Sequence, residues 1–182
     1  MERLDPASTV LFVVDVQEKL VTAMPGPTLD RLVKNTTILL EAAKILGVRI
    51  LASEQYPKGL GRTIPALAAL LPSPAMPKLT FDAASDLAIA RALAEIEPRS
   101  VIVAGMESHV CVFQTARELV KRGYGTYVVA DAVSSRTEEN RRIGLSLCER
   151  AGATITATET VVFDWLQIAG TDAFKTVSKL LR

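Results

Sequence analysis

Thr9-Val-Leu-Phe-Val-Val-Asp15 is an apolar run without polar alternation, closed by an acid. A strand of this composition has to be buried on both faces, as in a parallel sheet covered by helices. The chain around it agrees. Leu29, Leu32, Val33, Thr36, Leu39, Leu40, Ala43 and Leu46 recur at helical spacing, and Gly47 marks the stop. Further β-type runs fall at 48–53, 77–80, 101–104, 125–130 and 153–156. Helical spacing occupies about 86–96, 111–122, 137–151, 159–166 and 172–181. Strands alternating with helices of this length predict right-handed βαβ crossovers and a parallel sheet with helices on both faces.

With 182 residues, 49% of them hydrophobic, the chain suits one domain over 1–182. Twenty-one basic residues against 20 acidic ones leave a net charge of +1, and no basic cluster is interleaved with aromatics. Nucleic acid and anionic membrane are therefore not expected as partners. The expected partners are a small-molecule substrate and other copies of the chain. No apolar run approaches the ~18 residues of a membrane span, and MERLDPAST lacks the features of a signal peptide, so a cytoplasmic protein is expected. The two cysteines, Cys111 and Cys148, fit no repeated disulfide or CxxC pattern. That favours free thiols in a reducing compartment, although spacing does not exclude a bridge.

In an open parallel sheet, ligands bind beyond the carboxyl ends of the strands. Three chemistry-bearing residues fall there: Asp15 ending the first strand, Lys78 at the third, and Cys111 in Gly105-Met-Glu-Ser-His-Val-Cys-Val-Phe-Gln-Thr-Ala116, between the fourth strand and a helix. Each has an ordinary alternative, as helix cap, solvated lysine or small core residue. Together they suggest a nucleophilic thiol. A carboxylate can take its proton, while an ammonium and a helix N-terminus favour the thiolate. The turn can also offer backbone N–H groups to an oxyanion, which points to acyl transfer through a thioester.

His109 is the sole histidine, which argues against a histidine-based metal site and leaves it a pocket-lining role. The irregular, Pro- and Gly-rich stretch 53–77 reads as a long loop and is expected to border the site. Gln55, Tyr56, Phe81 and His109 are candidates for shaping the pocket, Gln17 for orienting Asp15 or the ligand, and Glu54 and Arg136 for a structural ion pair. The apolar segment 161–168 is expected to be buried against the domain or another subunit.

Asp15-x-Gln17, Lys78 and Gly105-x5-Cys111-Val-x-x-Thr-Ala116, in that order over nearly the whole chain, resemble the isochorismatase-like cysteine hydrolases. This superfamily includes nicotinamidase and N-carbamoylsarcosine amidohydrolase. Glu54-Gln-Tyr-Pro-Lys-Gly-Leu-Gly61, Glu107-Ser-His-Val-Cys111 and Val129-Ala-Asp-Ala-Val-Ser-Ser-Arg136 are similar to its branch of isochorismatase domain-containing proteins. The resemblance implies a three-layer α/β/α, Rossmann-like fold with a six-stranded parallel sheet. It implies Asp15 as base, Lys78 as electrostatic partner and Cys111 as nucleophile. It further implies a cis peptide between Met106 and Glu107, an oxyanion hole from the N–H groups of Glu107 and Cys111, and oligomers.

Two departures narrow the activity. Ser53-Glu-Gln-Tyr-Pro-Lys58 lacks the metal ligands that nicotinamidases carry there, so no metal or other cofactor is expected. Isochorismatase itself lacks the cysteine, so vinyl-ether cleavage does not fit. What remains is a cysteine hydrolase of a small amide, carbamoyl or related acyl compound, acting on non-peptide C–N bonds. The alternatives are a silent interaction protein on the same fold and a redox-sensing thiol with Cys148 as resolving partner.

Overall fold

The computed structural model describes residues 3–181. After a 3-10 turn at Pro6–Ser8, the order is β1 (Thr9–Val14), α1 (Glu18–Val21), α2 (Gly26–Leu46), β2 (Arg49–Gln55), α3 (Pro57–Leu60), α4 (Pro65–Ala68), β3 (Met76–Lys78), α5 (Leu87–Ile96) and β4 (Ser100–Met106). A π-helical turn (Ser108–Val112) then leads into α6 (Phe113–Lys121), β5 (Gly125–Ser134), α7 (Glu138–Arg150), β6 (Thr154–Thr156), α8 (Thr158–Leu166) and α9 (Asp172–Val177).

All strand pairs are parallel, in a 6-stranded sheet of order β3-β2-β1-β4-β5-β6. Alternation along β1 shows why this strand had to be apolar throughout. Leu11 and Val13 pack into one core layer with Leu32, Leu39 and Leu40 of α2, Val161, Val162 and Trp165 of α8, and Val177 of α9. Val10, Phe12 and Val14 pack into the opposite layer with Ile89 and Leu93 of α5, Ala116 and Leu119 of α6, and Cys148 of α7. Three layers follow from two apolar faces.

The strand order reverses between β1 and β4, the one place where the chain steps outward on either side. The carboxyl ends of these two strands therefore frame a crevice, where ligands of open α/β sheets bind. Helix α2 stops as its sequence demands: Gly47 adopts φ 74° and its N–H returns to the Ala43 carbonyl. Asp86 caps α5 and Thr137 caps α7 through side-chain oxygens.

Several boundaries differ from the sequence reading. Asp15 lies just beyond β1 and has φ 53°, so the acid starts the turn instead of ending the strand. Segment 53–77 is not an open loop: β2 runs on to Gln55, and the short α3 and α4 begin at prolines, where a missing N–H costs no helical bond. β5 extends to Ser134 after a register shift against β4, and α9 stops at Val177. In segment 161–168, Val161, Val162, Trp165 and Leu166 are buried within the domain, while Phe163 and Ile168 are exposed. No helix among the described residues is long and apolar enough to cross a membrane.

Candidate active site

Asp15 and Lys78 meet beyond the strand ends. Lys78 Nζ lies 2.7 Å from Asp15 Oδ2, and both side chains have no solvent exposure. Two buried opposite charges persist only if their remaining hydrogen-bonding capacity is met, and here it is. Asp15 Oδ1 accepts from Ser53 Oγ at 2.8 Å, and the ammonium also donates to Gln55 Oε1 at 2.6 Å and to the Thr80 carbonyl at 3.1 Å. The Phe81 carbonyl lies 3.4 Å away. Parallel register supplies the geometry: Val14 pairs with Ser53 and Gln55 with Lys78, so the residue after β1, the end of β2 and the end of β3 are brought side by side.

Cys111 is not the first residue of a regular helix. It sits inside the π-helical turn, and α6 begins two residues later at Phe113. The turn is fastened on several sides. The Val110 and Val112 N–H groups both donate to the Glu107 carbonyl, Arg136 N and Nε both donate to Glu107 Oε2, and Ser108 N donates to Ser135 Oγ. On the α7 side, a Cβ added at Gly144 would stand 2.4 Å from the Ser108 carbonyl carbon and 2.5 Å from the His109 nitrogen. Only a residue without a side chain lets the helix approach so closely. The Met106–Glu107 peptide bond is cis, as the motif implied.

The thiol of Cys111 sits in surroundings that oppose the activated thiolate that the sequence suggested. Its pKa is pushed up to about 12, first by burial, then by the Asp15 charge and a hydrogen bond to that carboxylate, with a contribution from Glu107; Lys78 pulls the other way and loses. The expectation counted the ammonium and the helix end; the ammonium acts in the foreseen direction but is outweighed, and the helix end is not where it was expected. The Asp15 charge opposes that of Lys78 at the thiol, and the regular helix starts after the cysteine. Cys111 is only 6% exposed, so desolvation of the anion decides. Cys148 is likewise pushed up to about 12 by burial, and both thiols are free.

The other sequence candidates separate into distinct places. Gln17 is fully buried, and its amide joins backbone to backbone: Nε2 donates to the carbonyls of Gln55 and Gly61, and Oε1 accepts from Gln55 N. It braces the end of β2 instead of facing open space. Gln55 orients Lys78 through Oε1 and holds the Leu79 carbonyl through Nε2. Tyr56, at φ 38°, lines a cavity of about 460 Å³ together with Pro57, Lys58, Pro77, Lys78 and Leu79. Phe81 is exposed, and half-buried His109 contacts Ser135 Oγ through Nδ1 at 3.1 Å. A wider hollow of about 800 Å³ lies at the opposite end of the sheet, around Ser100 and Gly125, away from this chemistry.

Glu54 and Arg136 do not pair with each other. Glu54 accepts from Thr63 N, Thr63 Oγ1 and Arg62 Nη1, whereas Arg136 holds Glu107. Their separation in the sheet explains this, since β2 and β5 stand on opposite sides of β1 and β4. Ser53, Ser108 and Ser135 were not singled out from the sequence. For Ser53 a signal existed: placing it opposite the last residue of β1 puts its hydroxyl beside the following acid.

The chain as a whole has relatives among known proteins. The Isochorismatase domain family model matches residues 9–160. A secreted isochorismatase effector, Isc1, of Phytophthora sojae is 36% identical over 191 residues, covering 99% of this chain and 87% of that protein. Isochorismatase domain-containing protein 1 of Danio rerio is 36% identical over 98% of this chain, which spans 62% of that longer protein. A solved structure described as MAR1 ribonuclease from Caenorhabditis elegans superposes with a TM-score of 0.91 at 35% identity, covering 99% of this chain and 92% of that one. The domain match runs from β1 into α8 and the relatives extend over nearly the full length, so the chain belongs to the isochorismatase family.

Proposed function

We propose that this isochorismatase-family protein is a cysteine-dependent hydrolase of a small amide, carbamoyl or related acyl compound. The observation that carries the reading is the fully buried Asp15–Lys78 ion pair, 2.7 Å long, at the strand ends where the buried Cys111 thiol feels the charges of both residues. Asp15 takes the thiol proton as Sγ attacks the carbonyl carbon, and the same proton passes to the leaving nitrogen when the C–N bond breaks. Water then attacks the thioester with Asp15 as base, the C–S bond breaks, and the thiol regains its proton. The backbone N–H groups of Glu107 and Cys111 are the proposed oxyanion donors. Because the resting thiol is neutral, proton transfer and attack belong to one event triggered by substrate.

The test sets two responses against each other in a Cys148→Ala background. Asp15→Asn removes the charge that raises the Cys111 pKa, so alkylation by iodoacetamide at pH 8 is expected to speed up, roughly tenfold for each unit by which the pKa falls. The same variant, like Cys111→Ala, is expected to abolish ammonia release in a screen of small primary amides and carbamoyl compounds. Turnover that survives Cys111→Ala would end the proposal. The Caenorhabditis elegans relative is described as a ribonuclease, but 21 basic against 20 acidic residues give no support here to a polyanionic substrate.

Self-association belongs to the same proposal. Leu79 is 74% and Phe81 54% exposed beside Lys78, an apolar rim of the kind that protein contacts cover. Light scattering is expected to give a multiple of 19.6 kDa, reduced by Leu79→Lys; a monomer at every concentration would refute it.

A further inference from the structure

Ser135 is 1% exposed and follows the last residue of β5, opposite the end of β4. Its single hydroxyl gathers three contacts: Ser108 N at 3.1 Å, Ser108 Oγ at 2.5 Å and His109 Nδ1 at 3.1 Å. Proton counting orders them. The Ser108 N–H donates to Ser135 Oγ, which leaves two arrangements for the rest. In one, Ser108 donates its hydroxyl proton to Ser135 and Ser135 donates its own to His109 Nδ1. In the other the chain runs backwards, from an Nδ1–H through Ser135 to Ser108, whose proton is then left with the Arg141 carbonyl at 3.5 Å. Ser108 is fully buried, so a hydroxyl proton facing a contact of that length is largely unsatisfied. The first arrangement gives every proton a short acceptor.

We infer that Ser135 is a positioning residue: its hydroxyl fixes His109 as the neutral tautomer with the proton on Nε2, and it anchors the Ser108 end of the turn that carries Cys111. Two consequences follow for the site, and the second rests on the hydrolase reading above. His109 has its one lone pair, on Nδ1, engaged by Ser135, so it is no rival to Asp15 as a base. Its half-buried ring instead offers a fixed Nε2–H, suited to a carbonyl or carboxylate oxygen on a ligand. Ser135 also acts at the first residue of the turn whose fourth residue is the nucleophile, where a small displacement is costly to reaction geometry.

Because His109 is the sole histidine, nitrogen-15 NMR of the imidazole reports on one ring without assignment. The wild-type protein is expected to show Nε2 protonated and Nδ1 bare, and Ser135→Ala a mixture of tautomers, with Ser135→Thr restoring the wild-type pattern. Ser108→Ala leaves Ser135 its own proton, so the tautomer is expected to hold even if Ser135→Ala fails to fold. Alkylation of Cys111 by iodoacetamide, in a Cys148→Ala background, should speed up about tenfold in Ser135→Ala or Ser108→Ala as the turn opens more often, and return towards wild type in Ser135→Thr. An Nδ1-protonated ring in the wild type would overturn the assignment. So would a tautomer and alkylation rate indifferent to Ser135→Ala. Neither readout uses turnover, so ammonia release that survives Cys111→Ala would sink the hydrolase reading while leaving these results intact.

Discussion

Lys78→Met is expected to destabilise the fold by about 3–5 kcal/mol, the usual penalty for leaving one member of a buried ion pair behind. Methionine matches the length of the lysine stem, so packing changes little. What is lost is the cation 2.7 Å from Asp15 Oδ2 and the donor that meets Gln55 Oε1. Both acceptors are then stranded in a buried crevice. Urea unfolding would show this as a lower midpoint at an unchanged slope. Pairing the substitution with Asp15→Asn removes the orphaned charge and should recover much of the loss. The positive φ of Asp15 is one that asparagine tolerates, so the double variant tests electrostatics and not backbone strain. A single-variant loss below about 1 kcal/mol would mean that the pair is not held as described.

Gly105→Ala is expected to be at least as damaging, by about 4 kcal/mol or more, with insoluble protein as its extreme form. A Cβ built at Gly105 stands 2.0 Å from the Val14 carbonyl oxygen and 2.7 Å from the Val14 nitrogen, at φ 117°. The obstacle is the backbone of β1, registered directly against Gly105 and flanked by β2 on its other side, so nothing can move aside cheaply. Gly26→Ala, where an added Cβ meets nothing within 4 Å, is the control and should stay within about 1 kcal/mol of wild type. If the two variants melt alike in urea, the close approach at Gly105 is wrong.

The fold was legible because one period dominates. A five-residue apolar run, Val10 to Val14, with no polar break has few homes, and Leu29 to Leu46 at helical spacing supplies the cover for one of its faces. Asp15, Lys78 and Cys111 could be placed at strand ends by counting alone. Electrostatics could not be counted. Whether a lysine stabilises a thiolate depends on whether a carboxylate has already claimed it, and the sequence holds no distance between Asp15 and Lys78. The Glu54 and Arg136 partners failed for a related reason, since strand order and not chain order decides which charges meet. Gln17 and Ser135 carry polar groups that look alike in any sequence. Only the backbone groups of Gln55 and Gly61, and the ring of His109, show what they hold.

The protonated state of Cys111 also bears on durability. Oxidants, stray electrophiles and soft metal ions consume thiolates, and an ordinary cysteine offers them a few per cent of that form at pH 7. Burial and the Asp15 charge push the Cys111 thiol well above the usual range, so it offers far less of that form. On the hydrolase proposal the reagent is made only where a bound carbonyl draws it out, and between encounters the protein carries a sulfur that peroxide has little means to spoil.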